Sequence, residues 1–142
     1  MNKCVLFAVS LLNLTACAGQ QSIETSGLTR AQIADVQISL VNDQGRCSLI
    51  SSAEPARALD MKWPCRFSED RKQKVRVEHF RQAEVIMVER SEPLAVPSTD
   101  CETDLQAIRQ FRGRLEVAPV TRVAACGPGY WDQKTLVWQF DW

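Results

Sequence analysis

Leu59-Asp60-Met61-Lys62-Trp63-Pro64-Cys65-Arg66-Phe67 alternates apolar and polar side chains from end to end. On a strand, successive side chains point to opposite faces, so Leu59, Met61, Trp63, Cys65 and Phe67 share one face. Asp60, Lys62, Pro64 and Arg66 share the other. A helix would scatter both sets around its axis. The stretch therefore predicts a half-buried strand with Cys65 facing inward. Pro64 has no N–H for a ladder, which predicts an edge position or a bulge there.

The pattern continues upstream. Val36, Ile38 and Leu40 alternate with polar residues and predict a strand, Asn42-Asp43-Gln44-Gly45 predicts a turn, and residues 46–50 predict a returning strand that carries Cys47. Residues 28–34 read as a short helical turn, and 51–57, with Pro55, as a loop.

Downstream, residues 68–74 are charged and read as an exposed loop. Val75, Val77 and His79 alternate with Arg76, Glu78 and Phe80, and Arg81-Gln82 turns the chain into 83–89. There Val85-Ile86-Met87-Val88 is apolar on both faces, as in a central strand covered on both sides. Pro93 and Pro97 make 91–99 a loop. Residues 100–112 carry two patterns. Thr99 with Glu102 forms a capping box ahead of Cys101, Leu105, Ile108 and Phe111, which share a helical face closed by Gly113. Cys101, Thr103, Leu105 and Ala107 also alternate as in a strand. Residues 115–118 and 120–126 predict strands broken at Pro119, and Gly127-Pro128-Gly129 predicts a turn. Leu136, Trp138, Phe140 and Trp142 alternate as a final strand. The fold class expected is mainly β: a small antiparallel sheet or barrel-like domain with at most one or two short helices. A helix at 100–112 would make it α+β.

The chain begins differently. Lys3 precedes an apolar run from Val5 to Leu14, too short for a bilayer-spanning helix of roughly 20 residues. The run ends in Leu14-Thr15-Ala16-Cys17. This segment resembles the signal peptide of bacterial lipoproteins, in which an aliphatic residue and two small residues precede the cysteine. The resemblance covers these first residues and no more. It implies cleavage after residue 16 and lipidation of Cys17 by a diacylglycerol and an N-acyl chain such as palmitate. Three chains would make a lasting tether, since two signals already suffice for stable anchoring. Ala18, in place of an aspartate, implies the outer membrane, with the domain on its periplasmic face. The organisation expected is a signal peptide over 1–16, a lipidated N-terminus and flexible tether over 17–33, and a globular domain over 34–142.

Export places the chain in an oxidising compartment. With Cys4 removed and Cys17 lipidated, Cys47, Cys65, Cys101 and Cys126 remain, which predicts two disulfides in one of three connectivities. Sequential pairing, Cys47–Cys65 and Cys101–Cys126, matches the hairpin reading. Each would close a loop of roughly 20 to 25 residues, stabilising by about 3 kcal/mol in the chain-entropy model. No C-x-x-C pair occurs and His79 is the only histidine, so no metal site is predicted.

With 17 basic and 17 acidic side chains the protein is close to neutral, which gives no field for nucleic acid. No nucleophile motif accompanies His79, and no cofactor motif occurs, so no catalytic residues are assigned. Glu69-Asp70 reads as a solvated pair, and Arg109, Arg112 and Arg114 as a solvated face or a contact to lipid phosphates or an acidic partner. Tyr130, Trp131, Trp138, Phe140 and Trp142 crowd the C-terminus. An aromatic-ended final strand resembles the C-terminal signal of outer-membrane β-barrels, but the chain lacks the eight or more long alternating strands such barrels need. Those aromatics are then core, or, at Tyr130, Trp131, Trp138 and Trp142, a partner-binding surface. The function expected is a lipid-anchored, non-enzymatic binding module, such as an inhibitor or immunity-type protein, for another envelope protein. The alternative is an accessory or structural lipoprotein of a secretion or assembly machine, and a weaker third reading is a cell-wall hydrolase.

Overall fold

A computed structural model describes residues 28–142; Cys17 and the signal segment lie outside the described residues. Four strands form a first antiparallel sheet by simple meander: β1 (Arg30–Ile33), β2 (Val36–Asp43), β3 (Arg46–Ser51) and β4 (Arg57–Lys62). The second sheet is built on one long hairpin, β7 (Ala83–Pro93) and β8 (Cys101–Phe111), paired along its full length from Ala83↔Phe111 to Pro93↔Cys101. Along the outer edge of β7 lie β5 (Arg66–Phe67) and β6 (Glu78–Phe80); along that of β8 lie β9 (Arg114–Val117) and β10 (Thr121–Val123). The protein is mainly β and antiparallel, and the sheets do not close into a barrel. Among the described residues no helix is long and apolar enough to cross a membrane.

Local chemistry sets the hairpins. Two-residue loops whose twist matches paired strands need positive φ at their first residue. Gln44 and Arg112 have φ of 52°, and each is followed by a glycine, Gly45 at 85° and Gly113 at 77°. Asn42 Oδ1 also accepts a hydrogen bond from the Gly45 N–H at 2.8 Å, so the turn read at 42–45 is present.

The 59–67 stretch keeps its predicted face but not its predicted unity. Leu59, Met61, Cys65 and Phe67 are all buried in one apolar cluster. However, the strand breaks at the cis Trp63–Pro64 bond, leaving β4 in the first sheet and β5 in the second. Pro64 is thus a corner between sheets rather than an edge or bulge position. That solution also spares a ladder the missing donor.

Three other expectations are corrected and one open reading is decided. Residues 28–34 are not a helical turn: Arg30–Ile33 pairs with β2, so the folded unit begins ahead of Ala34. Of the two patterns read at 100–112 the strand is the one present, because β7 offers β8 an unbroken ladder of partners. Residues 91–99 are not all loop, since β7 runs to Pro93. The final strand is instead a short helix, α1 (Gln133–Val137), capped by Asp132, whose Oδ1 accepts from the Thr135 N–H at 2.8 Å. Adjacent Leu136 and Val137 are both buried, which one face of a strand could not achieve.

The molecule has three layers. Ile38, Leu49, Leu59 and Phe67 meet Ile86, Val88 and Ile108 between the sheets. Behind the second sheet, Val85, Met87, Leu105 and Ala107 are covered by Ala118, Leu136 and Val137 from the C-terminal segment. The both-sided coverage read for Val85–Val88 is therefore present, and burying each such side chain stabilises by about 1.5–3 kcal/mol. Both disulfides form as Cys47–Cys65 and Cys101–Cys126, with Cα–Cα distances of 6.0 and 4.8 Å. The first is buried in the inter-sheet core, whereas Cys126 is exposed.

Candidate functional site

The C-terminal segment caps the second sheet, and two of its tryptophans fasten it. Glu89 lies on β7 on the same face as Val85 and Met87 and is fully buried. Trp131 Nε1 donates to Glu89 Oε2 at 2.5 Å. Arg66, directly opposite in register on β5, brings its Nε to 3.7 Å from Glu89 Oε1 and donates through Nη2 to Glu69 Oε2 at 2.7 Å. Burial raises the Glu89 carboxyl above the ordinary range, against the opposing pull of the Trp131 N–H and the Arg66 charge. Arg76 donates to the Trp131 carbonyl and to Glu78, which holds the same loop from its other side.

At the far end, Arg109 on β8 holds the last residues. Its Nε donates to Glu116 Oε2 at 2.6 Å and its Nη1 to the Asp141 carbonyl at 2.8 Å. Its guanidinium stands 4.6 Å from the Phe140 ring centre and 4.8 Å from that of Trp142. Trp142 Nε1 donates to the Val137 carbonyl at 2.7 Å, and its ring meets Phe80 edge-on at 4.8 Å.

The four aromatics expected at a partner surface therefore divide. Trp131 and Trp142 have structural duties in the cap. Tyr130 and Trp138 stand clear of it, 64% and 60% exposed. Tyr130 lines an open cleft of about 590 Å³ with Asp70, Arg71, Lys72, Arg76 and Asp132. A large aromatic face beside mixed charge suits a protein surface better than a small apolar ligand.

The other candidates resolve as follows. His79 is exposed, with Nδ1 3.6 Å from Glu84 Oε1, and among the described residues no nucleophile is hydrogen-bonded to it. Glu69-Asp70 divides: Glu69 is held by Arg66, while Asp70 stays accessible to solvent as its Oδ1 accepts from the Lys72 and Lys74 N–H groups at 2.7 and 3.1 Å. The Lys74 and Lys72 N–H groups hold the Asp70 carboxyl below its ordinary range. The arginine cluster is likewise split, because Arg109 is largely buried and committed to Glu116. Among the described residues no His, Cys, Asp or Glu side chains gather in a group of three or more able to hold a metal ion.

Reading of the chain missed Gln106. Its Oε1 accepts from the Asp60 N–H at 2.8 Å and its Nε2 donates to the Ala118 carbonyl at 2.9 Å, which ties β8 to β4 and to the cap. It missed Glu89 as a buried group as well. The only signal was a carboxylate closing the apolar run Val85–Val88.

Compared with known proteins, the chain matches no family model, no curated protein and no solved structure.

Proposed function

We propose that this chain is an envelope lipoprotein whose domain is a non-enzymatic binding module, an inhibitor or immunity-type protein that occupies another protein of the periplasm or outer membrane. One observation carries the reading: the domain leaves the large aromatic faces of Tyr130 and Trp138 in solvent, on a cap fastened to the second sheet through Trp131–Glu89 and Arg109–Asp141. Rigid aromatic anchors lose little conformational freedom on binding. The Cys17 lipid would keep the module at the membrane, so Cys17→Ser should abolish palmitate labelling and release the protein from envelopes. The module itself is tested by co-purification of the full chain from detergent-solubilised envelopes, beside a Tyr130→Ala/Trp138→Ala variant. A single stoichiometric partner, depleted in the variant, is expected. A multi-subunit assembly would favour an accessory role in an envelope machine. Recovery undiminished in the variant would remove these aromatics from the interface.

A further inference from the structure

The hairpin β7–β8 outgrows the sheet it supports. On one side, pairing with β5 ends at Arg66↔Glu89; on the other, pairing with β10 ends at Val123↔Thr103. Beyond those points the two strands pair only with each other, and every residue from Ser91 to Asp100 is exposed. The tip, Leu94-Ala95-Val96-Pro97, is apolar, with Val96 93% exposed and Leu94 42%. Apolar side chains placed at the end of a projecting arm contribute nothing to the core.

The arm is nevertheless held firmly. Leu94 N–H donates to the Asp100 carbonyl at 2.9 Å, Ser98 N–H to the Ala95 carbonyl at 3.1 Å, and Asp100 N–H to Ser98 Oγ at 3.1 Å. At its base, Thr103 Oγ1 donates to the Ala125 carbonyl at 2.5 Å, lies 2.6 Å from Ser91 Oγ, and the Gly127 N–H donates to Ser91 Oγ at 2.8 Å. The fit there is close enough that a Cβ on Gly127 would stand 2.3 Å from Ser91 Oγ. The Cys101–Cys126 disulfide closes the same base. Unlike Cys47–Cys65 it lies outside the apolar core, where it ties the start of β8 to the segment at Cys126.

From this geometry we infer that the tip at 94–97 is a preformed plug that enters a concave, apolar cleft on a partner protein. The inference rests on the binding-module reading and adds to the Tyr130 and Trp138 faces a second element that contacts the partner. The occupant is a protein cleft for three reasons. The tip is convex, and the run from Leu94 to Thr99 carries no charge. Glu92 and Glu102 flank it in ion pairs with Arg90 and Arg122, and Asp100 adds a negative charge, so the arm has no basic excess to draw it to an anionic bilayer surface. A second copy of this chain offers a poor match, since the clefts among the described residues carry charged side chains, Arg71, Lys72 and Asp132 in one, Arg81, Arg109 and Asp141 in another, and the cleft beside Trp63 and Pro64 holds Arg66 and Arg90 and adjoins the arm's own base at Ser91. A preformed loop avoids most of the ordering cost of binding, which explains why exposed residues are clamped.

The test uses the full chain in intact envelopes, with a photoreactive phenylalanine analogue in place of Val96, of Trp138, or of Ile50, an exposed residue of β3 in the first sheet, each in turn. Irradiation from position 96 should give a discrete protein adduct. Excess soluble wild-type domain should reduce its yield, and a Val96→Asp domain with an unchanged urea midpoint should compete about tenfold less well. A domain carrying Cys101→Ser and Cys126→Ser, with its far-UV spectrum retained, should also compete less well. Equal competition by Val96→Asp, an adduct of twice the chain's own mass, or adducts with lipid alone would each overturn the plug. A protein adduct from Trp138 and none from position 96 would overturn it while leaving the binding module standing. Adducts from none of the three positions would overturn both.

Discussion

Trp131 Nε1 and Glu89 Oε2, 42 positions apart in the chain, meet at 2.5 Å behind the second sheet. This bond joins the C-terminal cap to the middle of the domain, and it does so through a carboxyl that burial would otherwise penalise. Trp131→Phe keeps most of the ring and removes the donor. The buried carboxyl then loses its side-chain donor and keeps the Arg66 charge and the Gly129 N–H, and stability should fall by about 1–3 kcal/mol. An unchanged urea midpoint would show that the hydrogen bond contributes nothing net.

The same carboxyl gives the protein a pH dependence of definite sign. Its folded pKa is raised, mainly by burial, so its contribution is present at low pH and is lost as pH rises through the folded value. Glu89→Gln removes that titration. Stability measured from roughly pH 4 upward should fall less steeply in the variant than in the wild type. Parallel curves over that window would contradict the raised pKa.

Arg109 binds the chain end through two kinds of contact, an ion pair with Glu116 and the faces of Phe140 and Trp142. Arg109→Met keeps length and apolar stem and deletes both. The expected loss is about 1–2 kcal/mol. Carboxypeptidase should then trim the C-terminus faster, and Trp142 fluorescence should shift to the red. Combining it with Glu116→Gln should cost less than the two changes separately, because they share one interaction.

The two disulfides close loops of similar length, with sequence separations of 18 and 25, so chain entropy alone would give them similar weight of about 3 kcal/mol. Their surroundings differ. Cys47 and Cys65 are buried between the sheets, so Cys47→Ala with Cys65→Ala also opens a cavity there. Thermal melts should show the larger loss for that pair. Cys101→Ser with Cys126→Ser should melt closer to wild type. Alkylation and mass spectrometry of envelope-derived protein should find none of the four as free thiols.

Much of this domain is legible in the chain because strand and turn signals are local. Alternation at 36–40 and 59–67, the apolar run at Val85–Val88 and the Gln44-Gly45 turn each depend on neighbours a few positions away. Together with the cysteine count, they determined a mainly β, antiparallel, twice-stapled domain. Only the tertiary structure decided the rest. Residues 100–112 carry helix and strand patterns at once, and the tie was broken by the full ladder that β7 provides. Pro64 had to be met by some irregularity, but whether by a bulge or by a change of sheet depended on where Phe67 finds its core. Leu136 and Val137 became helical because the back of the second sheet needed both covered. The division of the tryptophans, Trp131 on Glu89 and Trp138 in solvent, follows no local rule. Burial is a property of the assembled layers, and no stretch of sequence carries it alone.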